Sequence, residues 1–279
     1  MGATGYLYND YFKDITTADI AVVNSAGADK EDANYPIANS QSEQVALCTR
    51  SDDKTTIKIR FDINSASGGT AELKLFALLN HNLSGGSIKI YSYTAADYAT
   101  GQNLEATVAV RTYDMYVRIA SPSDRRYWEI DLSHNGSATS ADSYYEWGRV
   151  MCYTDLVSIT DIPDYLTTRG YGFRNIVNET AYGVRAAVHK MTEKRERFEL
   201  FWQERAASNG LDDEIRALYE AVYGDAHPLL FVPDITGTPC YYVYLEGPEL
   251  LYSELMGIGT HAHVGNITLR LIEAVRGKV

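Results

Sequence analysis

Positive charge is what this sequence lacks most plainly. It carries 25 lysines and arginines against 37 aspartates and glutamates, a formal net charge of -12. Sequence-independent binding to nucleic acid needs a basic face that neutralises phosphates, so that class of function is excluded, and the acidity serves solubility. Cysteine is scarce as well: Cys48, Cys152 and Cys240 stand far apart with no CxxC pair. That rules out a zinc ribbon or a thioredoxin-type motif and leaves buried, reduced thiols as the expectation. Long apolar runs are missing. Leu229-Leu230-Phe231-Val232 is among the longest, against the roughly 20 residues that a membrane-spanning helix needs, so no membrane span is expected. The opening Met1-Gly2-Ala3-Thr4-Gly5-Tyr6 has no basic n-region and no apolar h-region, and no secretory signal is expected from it.

Catalytic motifs are absent too. There is no GxSxG elbow, no phosphate-binding GxxxxGK[ST] loop and no GxGxxG between a strand and a helix; Gly170-Tyr171-Gly172 lacks the third glycine. Asp52-Asp53 and Asp212-Asp213 are adjacent pairs, not the opposed carboxylates that glycoside hydrolysis places across a sugar. His261-Ala262-His263 sets two imidazoles on one strand face, but zinc needs three or four ligands. A turn before the last strand accounts for it better. The sequence therefore predicts no enzyme, no metal and no cofactor.

Tyrosine is abundant, 22 residues against 7 prolines, and aromatic and β-branched side chains suit half-buried pleated surfaces. Thr56 to Ile63 alternates strictly, with Ile57, Ile59, Phe61 and Ile63 on one face. Ser87 to Tyr93, Met115 to Ala120, Tyr127 to Leu132, Tyr145 to Tyr153, Tyr182 to Thr192 and Arg197 to Trp202 are further strand candidates, separated by Gly/Ser/Asn/Asp clusters. One helix is predicted over 211–223, from the stripe Leu211, Ile215, Leu218, Tyr219 and Val222, with Ser208 or Asn209 as its cap. The expected fold is mainly β: an N-terminal antiparallel β-sandwich (jelly roll) followed by a smaller β-barrel-like domain with one α-helix. The expected divisions are an N-terminal extension over 1–33, the sandwich over 34–160, a linker over 161–180 and a second domain over 181–279. Trp128 and Trp147 are expected in the core. Asn80-His81-Asn82 is expected to form a turn with His81 in a structural role.

Two sets of segments carry a resemblance. The first runs through Asn34-Tyr35-Pro36-Ile37-Ala38-Asn39, Phe61-Asp62-Ile63, Leu78-Leu79-Asn80-His81-Asn82-Leu83, Ile88-Lys89-Ile90, Tyr127 to Asp131 and Tyr144-Tyr145-Glu146-Trp147-Gly148-Arg149. In that order they resemble the galactose-binding-like (discoidin-type) jelly roll of phage tail and fibre-associated proteins. The second comprises Arg197 to Trp202, the helix, His227 to Asp234, Tyr241 to Leu245 and Ile267 to Glu273. It is similar to the carboxy-terminal parts of distal-tail and minor-tail proteins of tailed phages.

The resemblance implies a structural component of a phage virion (tail, baseplate or fibre adaptor) that docks onto other tail or baseplate proteins. It further implies a homo-oligomeric ring or multi-copy assembly, synthesised in the host cytoplasm and located in the virion tail. On that reading Lys194, Arg195 and Arg197 are candidate subunit-interface residues, against the plainer reading of a solvated hairpin turn. The alternative is a carbohydrate-binding module for host-surface glycans. For it, Tyr91, Tyr93 and Tyr98 would supply stacking faces, and Gln102 and Asn103 amide hydrogen bonds.

Overall fold

The structure is a computed structural model that describes residues 5–7, 10–54, 56–110, 114–132, 139–154, 157–159, 165–172, 175–179, 185–189, 195–206, 210–223, 226–232, 241–246, 251–255 and 264–274. The chain is mainly β, and among the described residues the paired strands are antiparallel. It divides into two compact units, one of Asn9–Leu156 with Arg276–Val279, the other of Met1–Tyr8 with Val157–Val275. This division differs from the one read in the sequence. Gly5–Leu7 pairs with Val157–Ser158 and with Leu229–Val232, so the first strand belongs to the C-terminal unit. The sandwich is thus an insertion between two neighbouring strands of that unit.

Within the Asn9–Leu156 unit, a five-stranded sheet runs in the order Ile20–Val23, Lys58–Asp62, Tyr127–Asp131, Ser87–Tyr93, Asn103–Ala109. A three-stranded sheet runs Met115–Arg118, Leu75–Leu79, Arg149–Tyr153. Alternation decides what faces inward. Ile57, Ile59, Phe61 and Ile63 are all fully buried, and Trp128 and Ile130 sit opposite Phe61 and Ile59 on the next strand. Phe76 and Leu78 of the smaller sheet enter the same core. Aromatic contacts connect the layers: Phe12 meets Phe61 edge-on at 5.3 Å, and Phe76 lies 6.4 Å from Phe61 and 5.5 Å from Trp128. Area burial of this kind stabilises by about 1.5–3 kcal/mol per large apolar side chain.

The stretch expected as an N-terminal extension is therefore part of the sandwich from residue 9 onward, because Phe12, Ile15, Ile20 and Val22 are buried in its core. A buried ion pair holds it there. Asp10 Oδ2 accepts from Arg149 Nη2 at 2.9 Å, and Oδ1 accepts from the backbone N–H groups of Phe12 (3.0 Å) and Cys152 (3.1 Å). Burial pushes the Asp10 carboxyl upward, opposed by Arg149 and the two amides. Both partners are only 3% exposed at the side chain, so removing one would leave an uncompensated buried charge.

In the other unit an eight-stranded sheet follows the order Val157–Ser158, Gly5–Leu7, Leu229–Val232, Tyr241–Leu245, Val264–Glu273, Arg195–Ala206, Tyr165–Gly172, with Leu251–Leu255 also on Val264–Glu273. Among the described strands no pair joins the two ends of this sheet. The expected linker contains a strand instead: Tyr165–Gly172 pairs with Arg195–Ala206. Helix Leu211–Ala221 buries Leu211, Ile215, Leu218 and Val222 against Phe198, Leu200, Trp202, Phe231 and Val243. Its N-cap is Gly210, with φ of 78° and no side-chain cap; Ser208 and Asn209 lie outside the described residues. Among the described residues no helix is long and apolar enough to cross a membrane.

Truncating Phe76, the ring that joins the two sheets of the sandwich, tests this core. Phe76→Ala is expected to lower the stability of the Asn9–Leu156 unit by about 3–5 kcal/mol, read as a drop in urea midpoint. A loss below about 1 kcal/mol would show that the two sheets do not share this core.

Candidate functional site

One loop end of the sandwich gathers polar and aromatic groups from four separate segments. Thr49–Arg50 pairs with Glu146–Trp147, placing Arg50 directly opposite Glu146. Arg50 Nε donates to Glu146 Oε2. The guanidinium also lies 3.7 Å from the ring centroid of Tyr35 and 4.7 Å from that of Tyr144. A guanidinium over an aromatic face is favourable at each ring, and the carboxylate fixes its in-plane orientation. Tyr35, Arg50, Tyr144 and Glu146 are all partly exposed. Arg50 is held protonated more firmly than usual by Glu146, against the cost of its burial.

The neighbouring side chains are spoken for. Trp147 is fully buried and its indole Nε1 donates to Ser40 Oγ at 2.7 Å, while Ser40 shares a 2.7 Å hydrogen bond with Thr49. Thr49 in turn donates to the Pro36 carbonyl at 3.0 Å, which sets the chain just after Tyr35. Gly148 follows Trp147 because nothing larger fits: a Cβ there would run into the Val45 carbonyl oxygen. Cys48 is beside the site, and burial, with Glu146 adding to it, pushes its thiol up to about 11. It is a poor nucleophile there.

Asn80-His81-Asn82 connects to the same loops. Asn80 has φ of 51° and donates from Nδ2 to the Val45 carbonyl at 3.0 Å. Asn82 Nδ2 donates to the Tyr144 carbonyl (3.1 Å) and Asp142 Oδ2 (3.0 Å), and its Oδ1 accepts from the Glu146 N–H at 2.8 Å. His81 Nδ1 accepts from the Leu83 N–H at 3.3 Å, and desolvation lowers the imidazole to about 4. The turn expected from the sequence is present, yet its asparagines reach segments distant in the chain and not only local backbone.

The residues expected to contact glycan lie elsewhere, on Ser87–Tyr93, on the 94–102 loop and at the start of Asn103–Ala109. Tyr91 and Tyr93 are 7% and 1% exposed, so neither ring offers a stacking face. Tyr93 Oη donates to Glu129 Oε1 at 3.0 Å and accepts from Gln102 Nε2 at 2.9 Å. Tyr98 packs edge-on against Tyr93 at 5.4 Å and Tyr127 at 6.0 Å, beneath Arg60 at 4.8 Å. Asn103 Nδ2 donates to Glu105 and to Ser123. The charged centre of this cluster is Glu129, with no exposed side-chain surface, bound at 2.7 Å by both Lys58 and Arg60. These groups anchor the 94–102 loop to the sheet.

Of the expected subunit-interface residues, Arg197 pairs with Glu246 of its own unit at 3.0 Å. Arg195 is described only as part of the Arg195–Ala206 strand, and Lys194 lies outside the described residues, as do His261 and His263. Trp128 and Trp147 are core residues, both fully buried.

No family model and no curated protein sequence matches the chain. Solved structures do resemble its fold. The family 32 carbohydrate-binding module of NanJ from C. perfringens, in complex with galactose, gives a TM-score of 0.37 at 9% identity, over 53% of this chain and 98% of that one. Chitosan-binding module 1 of a chitosanase/glucanase from Paenibacillus sp. IK-5 gives 0.38 at 11%, over 52% and 98%. The lectin domain of lectinolysin, complexed with Lewis B antigen, gives 0.34 at 10%, over 49% and 92%. These are carbohydrate-binding and lectin domains; the phage-tail resemblance has no counterpart among the three. At such scores they lend no weight to the reading of the site, which rests on the geometry above.

Gly148→Ala checks that geometry. Backbone must move to admit the methyl, so a loss of about 1–3 kcal/mol is expected, with amide shifts at Val45, Arg50 and Glu146 in heteronuclear NMR spectra. Full retention of stability and shifts would contradict the close approach.

Proposed function

We propose that the Asn9–Leu156 unit is a glycan-binding module whose contact surface centres on Tyr35, Arg50, Tyr144 and Glu146. The observation that carries this reading is the guanidinium in contact with two partly exposed tyrosine rings and oriented by a carboxylate. A sugar presents apolar C–H faces and adjacent hydroxyls together. Tyrosine offers an apolar ring with a polar tip, and the remaining guanidinium N–H groups and carboxylate lone pairs serve hydroxyl acceptors and donors. The side chains that hold this arrangement are themselves pinned by Asn82, Ser40 and Thr49, which keeps the ordering cost of binding low.

Full-length protein titrated calorimetrically with neutral oligosaccharides that score on a glycan array is the direct test. Arg50→Ala and Tyr144→Ala are each expected to weaken binding at least tenfold, equivalent to about 1.4 kcal/mol. Tyr93→Phe, which removes a hydroxyl from the Glu129 cluster, is expected to lower stability and leave affinity within about twofold. Unchanged affinity in both loop-end variants, or a large loss in Tyr93→Phe alone, would refute the placement.

A second reading, docking of the C-terminal unit onto tail or baseplate subunits, is favoured by the insertion itself. Because Gly5–Leu7 and Val157–Ser158 are antiparallel neighbours, the chain leaves and re-enters that unit at one place. Light scattering on the full chain is expected to show a multi-copy species; a monomer at all concentrations up to about 100 μM, far above a typical obligate dissociation constant, would count against it.

A further inference from the structure

We propose that the Asn80-His81-Asn82 turn positions the candidate site and releases it in acid, with His81 as the titrating pin. The inference rests on the glycan-binding reading, and it assigns to that site a mode of regulation.

The turn is coupled to the site by hydrogen bonds at both ends. Asn80 holds the Val45 carbonyl, three residues from Cys48, and contacts Cys48 Sγ at 3.7 Å. Asn82 grips the 142–146 segment three times: at the Asp142 carboxylate, the Tyr144 carbonyl and the Glu146 N–H. Glu146 is the carboxylate that orients Arg50, and Tyr144 is one of the rings that cover it. Displacing Asn82 therefore removes the brace behind two of the four contact residues. His81 sits between the two asparagines. Its Nδ1 receives the Leu83 N–H, and its Nε2 is buried without a hydrogen-bond partner. An imidazole in this setting must be neutral: a proton on Nδ1 would abolish the bond to Leu83 and bury a charge.

The ionisable groups around the turn are Asp114, which accepts from the Asn80 N–H at 2.9 Å, Asp142 on Asn82, Cys48 on Asn80, and Glu146 with Arg50 beyond it. Lys54 reaches the Ser140 and Asp142 carbonyls. Carboxylates ordinarily titrate near pH 4, below the window in which an imidazole responds. The sign follows from linkage. His81 is lowered from 6.5 to about 4 when the turn is seated, so the released turn binds the extra proton. Seating is favoured fully above pH 6.5 and is lost as pH falls toward 4. With those two values the ratio of released to seated turn rises roughly 20-fold between pH 7 and pH 5.

The test compares wild type with His81→Gln, whose amide oxygen accepts the Leu83 N–H and does not titrate. Two readouts are followed from pH 7.5 to 4.5: affinity for an array-positive oligosaccharide, and NMR shifts of the Tyr144 and Glu146 amides and the Arg50 side chain. In wild type both are expected to move together between pH 6.5 and 5.5, with affinity falling while the fold is retained. In His81→Gln both are expected to stay flat over that window, which lies above the ordinary carboxylate range. Identical profiles in the two proteins would overturn the proposal. If no oligosaccharide binds at any pH, the glycan reading fails, while His81-dependent shifts at Glu146 and Arg50 would still establish the coupling. A His81→Gln protein that fails to fold is replaced by His81→Asn, read against the same two profiles.

Discussion

The pairing of Thr49–Arg50 with Glu146–Trp147 is the constraint on which the loop end of the sandwich depends. These two strands are nearly a hundred residues apart in the chain and only two residues long. Their register brings a buried tryptophan, a threonine in a hydroxyl network and an arginine–glutamate pair to one place. Trp147 anchors the pair in the core through area burial, and its indole N–H is satisfied by Ser40. Arg50 and Glu146, on the opposite face, are then forced outward together. The charged pair is held by packing beneath it more than by its own attraction, since a partly exposed ion pair contributes little stability alone.

The same device appears twice more with different results. Asp10 and Arg149 form a fully buried pair that ties the first helical turn to the smaller sheet. Lys58, Arg60 and Glu129 form a closed cluster under the 94–102 loop. In both, every oxygen of the carboxylate faces a donor and little surface remains for a ligand. The Arg50 cluster instead sets an oriented charge pair against two partly exposed rings, Tyr35 and Tyr144; Arg126, paired with Asp62, lies over one such ring, Tyr127.

Much of the fold was legible because it obeys short-range rules. The alternation of Ile57, Ile59, Phe61 and Ile63 located a strand and its inward face, and the stripe from Leu211 to Val222 located the helix. The turn at Asn80–Asn82 was legible from residue type. The domain boundaries were not, because they depend on a pairing between the first strand and the strand at Val157, which no local pattern reports. The site was half legible. Tyr35, Tyr144 and Glu146 lie within segments that carried the resemblance, yet nothing in them distinguished contact from packing. Arg50, in Cys48-Thr49-Arg50-Ser51, gave no signal at all, because its role arises from cross-strand neighbours. Tyr91, Tyr93 and Tyr98 drew attention through their density, but clustered tyrosines satisfy one another and an adjacent carboxylate as readily as they bind a sugar.

The central claim is the location of the contact surface. Mapping of amide and arginine side-chain shifts in the full chain, during titration with an array-positive oligosaccharide, addresses it most directly. The account predicts perturbations centred on Tyr35, Arg50, Tyr144 and Glu146, with smaller changes at Asn82. Perturbations centred on Tyr98, Gln102 and Asn103, or confined to the Val157–Val275 unit, would contradict it.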